Sequence, residues 1–196
     1  MKQVIKLFYI SALTILVVGC KDPSRTKTMD FGLFTLEVPY KWQQVKQNGI
    51  DSYVGAIAVD NTDTLYFDLG MYSNSLTEHN IEVITRQMME ESATDSSDYI
   101  IVKDMPILDL DLDADRYRKQ NVSWETIDSK SAKIVFPRIS ENGITGIYID
   151  SLWRIGSSNS RFNLYGWDLK TQNESDLLKA IKTLRFHKLN IDNEEN

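Results

Sequence analysis

The chain is poor in the residues on which most hydrolytic and metal chemistry is built. It has one cysteine and two histidines in 196 residues. A single Cys excludes an internal disulfide framework and a thiolate metal cluster. His79 and His187 lie far apart in sequence. Neither belongs to an H-E-x-x-H helix, and the chain has no G-x-S-x-G elbow. The nine glycines form neither a G-x-G-x-x-G fingerprint nor a P-loop, so none is arranged to cradle a phosphate. Cations are in deficit: 22 Lys and Arg stand against 28 Asp and Glu, a net charge of −6. Nucleic-acid binding by counter-ion release needs the opposite excess. The chain has one extended apolar run, Leu7 to Val18, broken by Ser11 and Thr14. At twelve residues it falls short of the ~20 that span a bilayer as a helix.

What is present is a globular composition, 42 % hydrophobic and 26 % charged. The length fits one domain able to bury a sizeable core. The N-terminus, MKQVIKLFYISALTILVVGC, places Lys2 and Lys6 before the apolar run and Val17-Val18-Gly19-Cys20 after it. Charged n-region, short h-region and small-residue end are the layout of a secretory signal. The last four residues resemble the lipobox of bacterial lipoproteins. That resemblance implies cleavage between Gly19 and Cys20 and acylation of Cys20, including an amide-linked acyl chain such as palmitate. It also accounts for a lone Cys in an exported chain. Removal of residues 1–19 would take away Lys2 and Lys6 and make the net charge −8. Several acyl chains, each methylene contributing ~0.8 kcal/mol, anchor a protein stably. Lys21 rather than Asp follows Cys20, so the inner-membrane retention signal of enteric lipoproteins is absent. Cys20-Lys21-Asp22 is similar to the start of surface-export signals. Together these imply an outer-membrane lipid anchor, facing the periplasm or the surface.

The organisation expected from the sequence is a signal peptide over 1–19, a lipid-anchored tether over 20–30, one α+β domain over 31–189 and a polar tail over 190–196. Phe34, Leu36 and Val38 alternate with polar residues, the period of a half-buried strand. Trp42–Gln47, Ser52–Val59 and Thr64–Met71 continue a meander through the turns Asn48-Gly49 and Asp60–Asp63. Ser75-Leu-Thr-Glu78 has capping-box spacing and predicts a helix over Ser75–Ser92. Strands are predicted at Tyr99–Lys103, Ile107–Arg118, Val122–Ile127, Lys133–Phe136, Ile144–Ile149 and Arg161–Trp167. A second capping box, Thr171–Glu174, opens a helix with Leu177, Leu178, Ile181 and Leu184 on one stripe. Lys179, Lys182 and Arg185 lie toward its C-terminal end. The expected fold is α+β: a mainly antiparallel sheet with two helices packed on it.

Phe34-Thr-Leu-Glu-Val-Pro-Tyr-Lys-Trp42 resembles the F-x-x-x-x-P-x-x-W opening of PsbP-like domains, and Thr183-Leu-Arg-Phe186 is similar to their C-terminal end. The resemblance implies an αβα sandwich around an antiparallel sheet. Gly143–Trp153 resembles segments of uncharacterised small Gram-negative lipoproteins, which implies no activity.

Asp109, Asp111, Asp113 and Asp115 would share one strand face, ~6.8 Å apart, with Leu108, Leu110 and Leu112 turned to the core. Carboxylates suit Ca²⁺, but Ala114 and Gln120 stand where the calcium loop needs Gly and Glu. The expectation is therefore a solvated face with no metal and no cofactor. Tyr148, Trp153, Tyr165 and Trp167 crowd the C-terminal half, and the polar segment Trp153–Arg161 is expected as an exposed loop. No catalytic residue stands out. These features together lead to a lipid-anchored cell-envelope protein, a non-enzymatic binding or assembly module with an envelope protein or glycan as partner. The alternatives are an envelope hydrolase working through carboxylates and a Ca²⁺-stabilised accessory domain. Cys20→Ala should abolish metabolic palmitate labelling and leave an uncleaved or soluble form; a variant that still labels with palmitate and stays membrane-bound would refute the anchor.

Overall fold

The computed structural model describes residues 25–78, 82–92, 100–106, 114–155 and 158–187. The strands are β1 (Thr26–Asp30), β2 (Phe34–Pro39), β3 (Gln43–Lys46), β4 (Tyr53–Ala58), β5 (Thr64–Gly70), β6 (Glu82–Thr85), β7 (Ile100–Lys103), β8 (Gln120–Ile127), β9 (Lys130–Pro137), β10 (Ile144–Ile155), β11 (Ser158–Trp167) and β12 (Arg185–Phe186). Helix α1 spans Arg86–Ser92 and α2 spans Thr171–Lys182. A 3-10 turn occupies Ala114–Tyr117.

The large sheet has seven antiparallel strands in the order β3-β4-β5-β11-β10-β9-β8. A three-stranded antiparallel sheet runs β1-β2-β12, and β6 and β7 pair in parallel. The fold is thus α+β, dominated by antiparallel sheet, with two α-helices among the described residues. Alternation explains the strands directly. In β2, Phe34, Leu36 and Val38 are buried, and in β5, Leu65, Phe67 and Leu69 are. The β8–β9 hairpin turns through Asp128 and Ser129, both at positive φ (45° and 64°), as a two-residue turn matched to strand twist requires.

The main core gathers β2 residues, one face of the large sheet and Leu177, Ala180 and Ile181 of α2. Phe34 is fully buried and its ring lies 4.8–6.2 Å from those of Phe31, Phe67, Phe162 and Phe186. Truncation of one such aliphatic or aromatic residue typically costs ~2–5 kcal/mol.

Several expectations are corrected. Folded structure begins before residue 31, because residues 26–30 of the expected tether pair with β2 as β1. The helix over Ser75–Ser92 is only α1, preceded by β6. Leu76 sits at φ 53° with its N–H on Asn74 Oδ1, and Ser75 Oγ meets Thr77 Oγ1 instead of capping a helix. Val83 and Ile84 follow their β-branched preference for a strand. Of the strand expected over Ile107–Arg118, residues 107–113 lie outside the described residues, and 114–117 form the 3-10 turn. Of the loop expected over Trp153–Arg161, residues 153–155 belong to β10 and 158–161 to β11, while 156 and 157 lie outside the described residues; Trp153 pairs opposite Ser160 and is partly buried against Phe186. Arg185 has left the helix and pairs in β12 opposite Thr35. Residues 190–196 lie outside the described residues.

The second capping box is also replaced. Thr171 is already helical, and its N–H and Oγ1 both donate to Glu141 Oε1. The helix entrance is tied down by the β4–β5 turn. Asp63 Oδ2 accepts from Lys170 N–H (2.9 Å) and Asn173 Nδ2 (2.7 Å), and Asp60 Oδ2 accepts from Asn173 Nδ2 and Lys170 Nζ. Burial alone would push the Asp63 carboxyl up. Hydrogen bonds from Asn173, Lys170 and Thr62 outweigh it and hold the carboxyl below its ordinary value. A carboxylate depressed in the folded state contributes stability above its unfolded value of about 3.9, and loses it as pH falls through the folded value. Asp63→Asn should therefore melt lower at pH 7 and lose less stability than the wild type on acidification below about pH 4; parallel melting profiles against pH would contradict this.

Candidate functional site: the outer face of the large sheet

The face of the seven-stranded sheet turned away from the main core is the most distinctive surface of the molecule. Pairing registers align one row of residues across all seven strands: Val45, Ala56, Tyr66, Tyr165, Gly146, Val135 and Val122. The neighbouring row reads Val54, Asp68, Asn163, Tyr148, Lys133 and Trp124. An apolar row thus lies beside a mostly polar one, because residues paired across strands project to the same face. Gly146 leaves the tight space that Tyr165 uses: an added Cβ would lie 2.6 Å from Tyr165 Cβ.

A strap, residues 73–78, crosses the middle of this face. Ser73 Oγ donates among the carbonyls of Asp68, Gly70 and Arg161, and Asn163 Nδ2 donates to Asn74 O at 2.9 Å. Leu76 packs with Val135 and Tyr148 in a second small core, flanked by Ile144 and Tyr165. Glu78 finishes the strap by accepting from the N–H groups of Lys119 and Gln120.

Beneath the strap lies Lys133, 8 % exposed. Its ammonium donates to Thr77 Oγ1 at 2.8 Å and sits 5.6 Å from the centre of the Tyr148 ring. Burial lowers its pKa. Tyr148 OH donates to Asp150 Oδ1 at 2.6 Å, and burial followed by that carboxylate pushes the phenol up to about 12. Arg161 Nε lies 3.2 Å from the same carboxylate. At neutral pH the phenol is therefore a fixed hydrogen-bond donor, not a proton shuttle.

The strap leaves two ends of the face open. At one end Tyr66 is 40 % and Trp167 58 % exposed, with Tyr165 between them; ring centres are 6.2 and 6.5 Å apart. At the other end Trp124 is 64 % exposed beside Val122. Elsewhere two concavities open to solvent, about 380 Å³ between the ends of β6 and β7 and about 440 Å³ along α2. The first is lined by Thr85, Arg86, Lys103 and Asp104, the last held by Arg86 in an exposed ion pair at 2.5 Å.

Among the sequence-selected residues, Val17, Val18, Gly19 and Cys20 lie outside the described residues, as do His79, Asp109, Asp111 and Asp113. Asp115 falls in the 3-10 turn. His187 is exposed, its backbone N–H on Leu33 O. Among the described residues, no three His, Cys, Asp or Glu side chains converge to hold a metal ion. Of the four C-terminal aromatics, Tyr148 is buried, Trp153 and Tyr165 are half-buried, and Trp167 is exposed. Tyr66 and Trp124 are not among the residues that the sequence singles out. The signal for Tyr66 was available: with Leu65, Phe67 and Leu69 facing the core, Tyr66 must face out. No family model matches the chain, and no curated protein matches it in sequence.

The buried amine gives a pH test. A lysine whose folded pKa lies below its unfolded value makes the unfolded state the better proton binder between the two, so stability rises with pH there. Lys133→Met should raise the melting temperature at pH 7 and flatten its rise toward pH 10; a variant less stable than wild type across that range would mean that the amine is a net stabilising contact.

Proposed function

We propose that this chain is a lipid-anchored cell-envelope protein of the outer membrane, acylated at Cys20 after cleavage at Gly19, and that it works as a non-enzymatic binding or assembly module. The anchor rests on the charged, apolar and Val17-Val18-Gly19-Cys20 pattern of the N-terminus. The binding role rests on one observation: Tyr66, Tyr165 and Trp167 stand together at an open end of a sheet face whose other side is already filled by the core. Aromatic rings exposed in a group supply large contact area at small entropic cost, and Tyr and Trp dominate binding energetics where they cluster. An envelope glycan or an envelope protein fits this end, the first by stacking on the rings and the second by covering them. We read the layering as a PsbP-like αβα sandwich with both helices packed on sheet. The Phe34–Trp42 motif and the entry of Leu177 and Ile181 into the main core support that reading.

The test is the double variant Tyr66→Ala/Trp167→Ala. Wild-type protein should co-sediment with purified cell-wall glycan or co-purify with an envelope protein after crosslinking, and the double variant should lose at least about tenfold of that binding. Its melting temperature should stay near the wild-type value, since both side chains are largely outside the core. Undiminished binding by the double variant would remove the aromatic end from the function.

A further inference from the structure

We propose that the chain pairs with a second copy of itself along β8, the two β8 strands running antiparallel so that two seven-stranded sheets join into one. The inference goes beyond the proposed binding role and uses the opposite end of the sheet. β8 is a terminal strand of the large sheet. Its inner edge is paired with β9 over all eight residues without a register shift. Gln120 donates its N–H outward to Glu78, while Lys119 O is taken by Arg138 N–H on the β9 side. Backbone groups alternate sides along a strand, so the N–H and C=O groups of Val122, Trp124 and Thr126 also point outward. No described strand pairs with them.

Free edges are normally blunted by lysine, proline, a bulge or shortness. The opposite edge, β3, follows that rule: it has four residues and ends in Lys46. β8 carries none of these devices. It has eight residues, QNVSWETI, with no Lys and no Pro, and it exposes Val122 (51 %) and Trp124 (64 %).

The strand is self-complementary about Ser123. A two-fold axis there sets Val122 opposite Trp124 of the partner subunit, and Trp124 opposite Val122 of the partner subunit. This twice forms an aromatic–β-branched cross-strand pair of the favourable kind. Asn121 meets Glu125 of the partner subunit, so no like charges oppose each other, and the pairing ends there because Gln120, 8 % exposed, keeps its N–H on Glu78 of its own chain. Glu125 is already paired with Lys182 on its own chain. Such an isologous contact closes on itself as a dimer. A foreign strand would need its own complement to Val122 and Trp124, whereas a second copy supplies it without further assumption.

Ser123 would face its own symmetry mate at a non-hydrogen-bonded position, where Cα atoms stand ~4.5 Å apart, within the range that a disulfide can bridge. The experiment uses the full chain in its native membrane. Ser123→Cys should give a disulfide-linked species of twice the chain mass on mild oxidation. Wild type, with Cys20 alone, and Gln44→Cys on β3 should not. Adding Val122→Lys and Trp124→Lys to Ser123→Cys should abolish the species. Sedimentation of the detergent-solubilised wild type should give a dimer and that of Trp124→Lys a monomer, a readout independent of how the cysteine variant folds. A monomeric wild type would overturn the proposal. So would crosslinking at Ser123→Cys no stronger than at Gln44→Cys, or crosslinking of Ser123→Cys to a different protein.

Discussion

The ring of Phe34 is the contact on which the rest of the fold turns. It lies at the start of β2, opposite Phe186 in the β2–β12 pair, and it meets Phe67 and Phe162 edge-on in the centre of the large sheet. A single side chain thus couples the small sheet, the large sheet and the strand that follows α2. Edge-to-face contacts between aromatic rings add to the burial itself and fix orientation, which aliphatic contacts do less well. The chain's N-terminal strands and its C-terminal strand meet here. Closing the core therefore requires contacts between residues more than a hundred positions apart, an arrangement that slows folding and makes it cooperative.

Because the small sheet and α2 supply the main core from one side, the large sheet has unequal faces. One is filled. Among the described residues the other is crossed by the strap of residues 73–78, held mainly by hydrogen bonds that Ser73 and Asn163 donate and that Thr77 and Glu78 accept. A sheet face covered through polar contacts leaves its flanks in water, and the aromatic residues that would have been core under a full layer become surface. Tyr66, Trp167 and Trp124 are exposed for that reason. The same strap buries Lys133 as a consequence of position, since Thr77 and Tyr148 are the groups its amine can reach.

The strands were legible wherever a single face is buried: β2, β4, β5 and β8–β11 follow from alternation and from turn residues such as Asp60–Asp63 and Asp128–Ser129. Local signals failed where a distant partner decided the outcome. Ser75–Glu78 and Thr171–Glu174 both have capping-box spacing, yet the first became a strap because its side chains found the sheet, and the second is tied by Glu141 and Asp63 from other loops. Trp153 looked like a loop residue among Gly, Ser and Asn, but the β10–β11 ladder runs past it after an irregularity between Ile149 and Trp153. The exposed aromatic end was half legible. Alternation tells which side a residue takes; it does not tell whether that side is covered.

The placement of the open surfaces follows from the same asymmetry. The two aromatic ends of the outer face lie on opposite sides of the strap, at β5–β11 and at β8, because the strap occupies the strands between them. A ligand at Tyr66 and Trp167 would touch side chains alone, as those strands are paired on both edges. At β8 no described strand pairs with the outer backbone edge from Val122 to Thr126, so side chain and main chain can be read together. Side-chain platforms tolerate varied partners, whereas a strand edge demands register. The geometry thus separates an adaptable contact from a stringent one on a single sheet, and the strap between them lets each be occupied without obstructing the other.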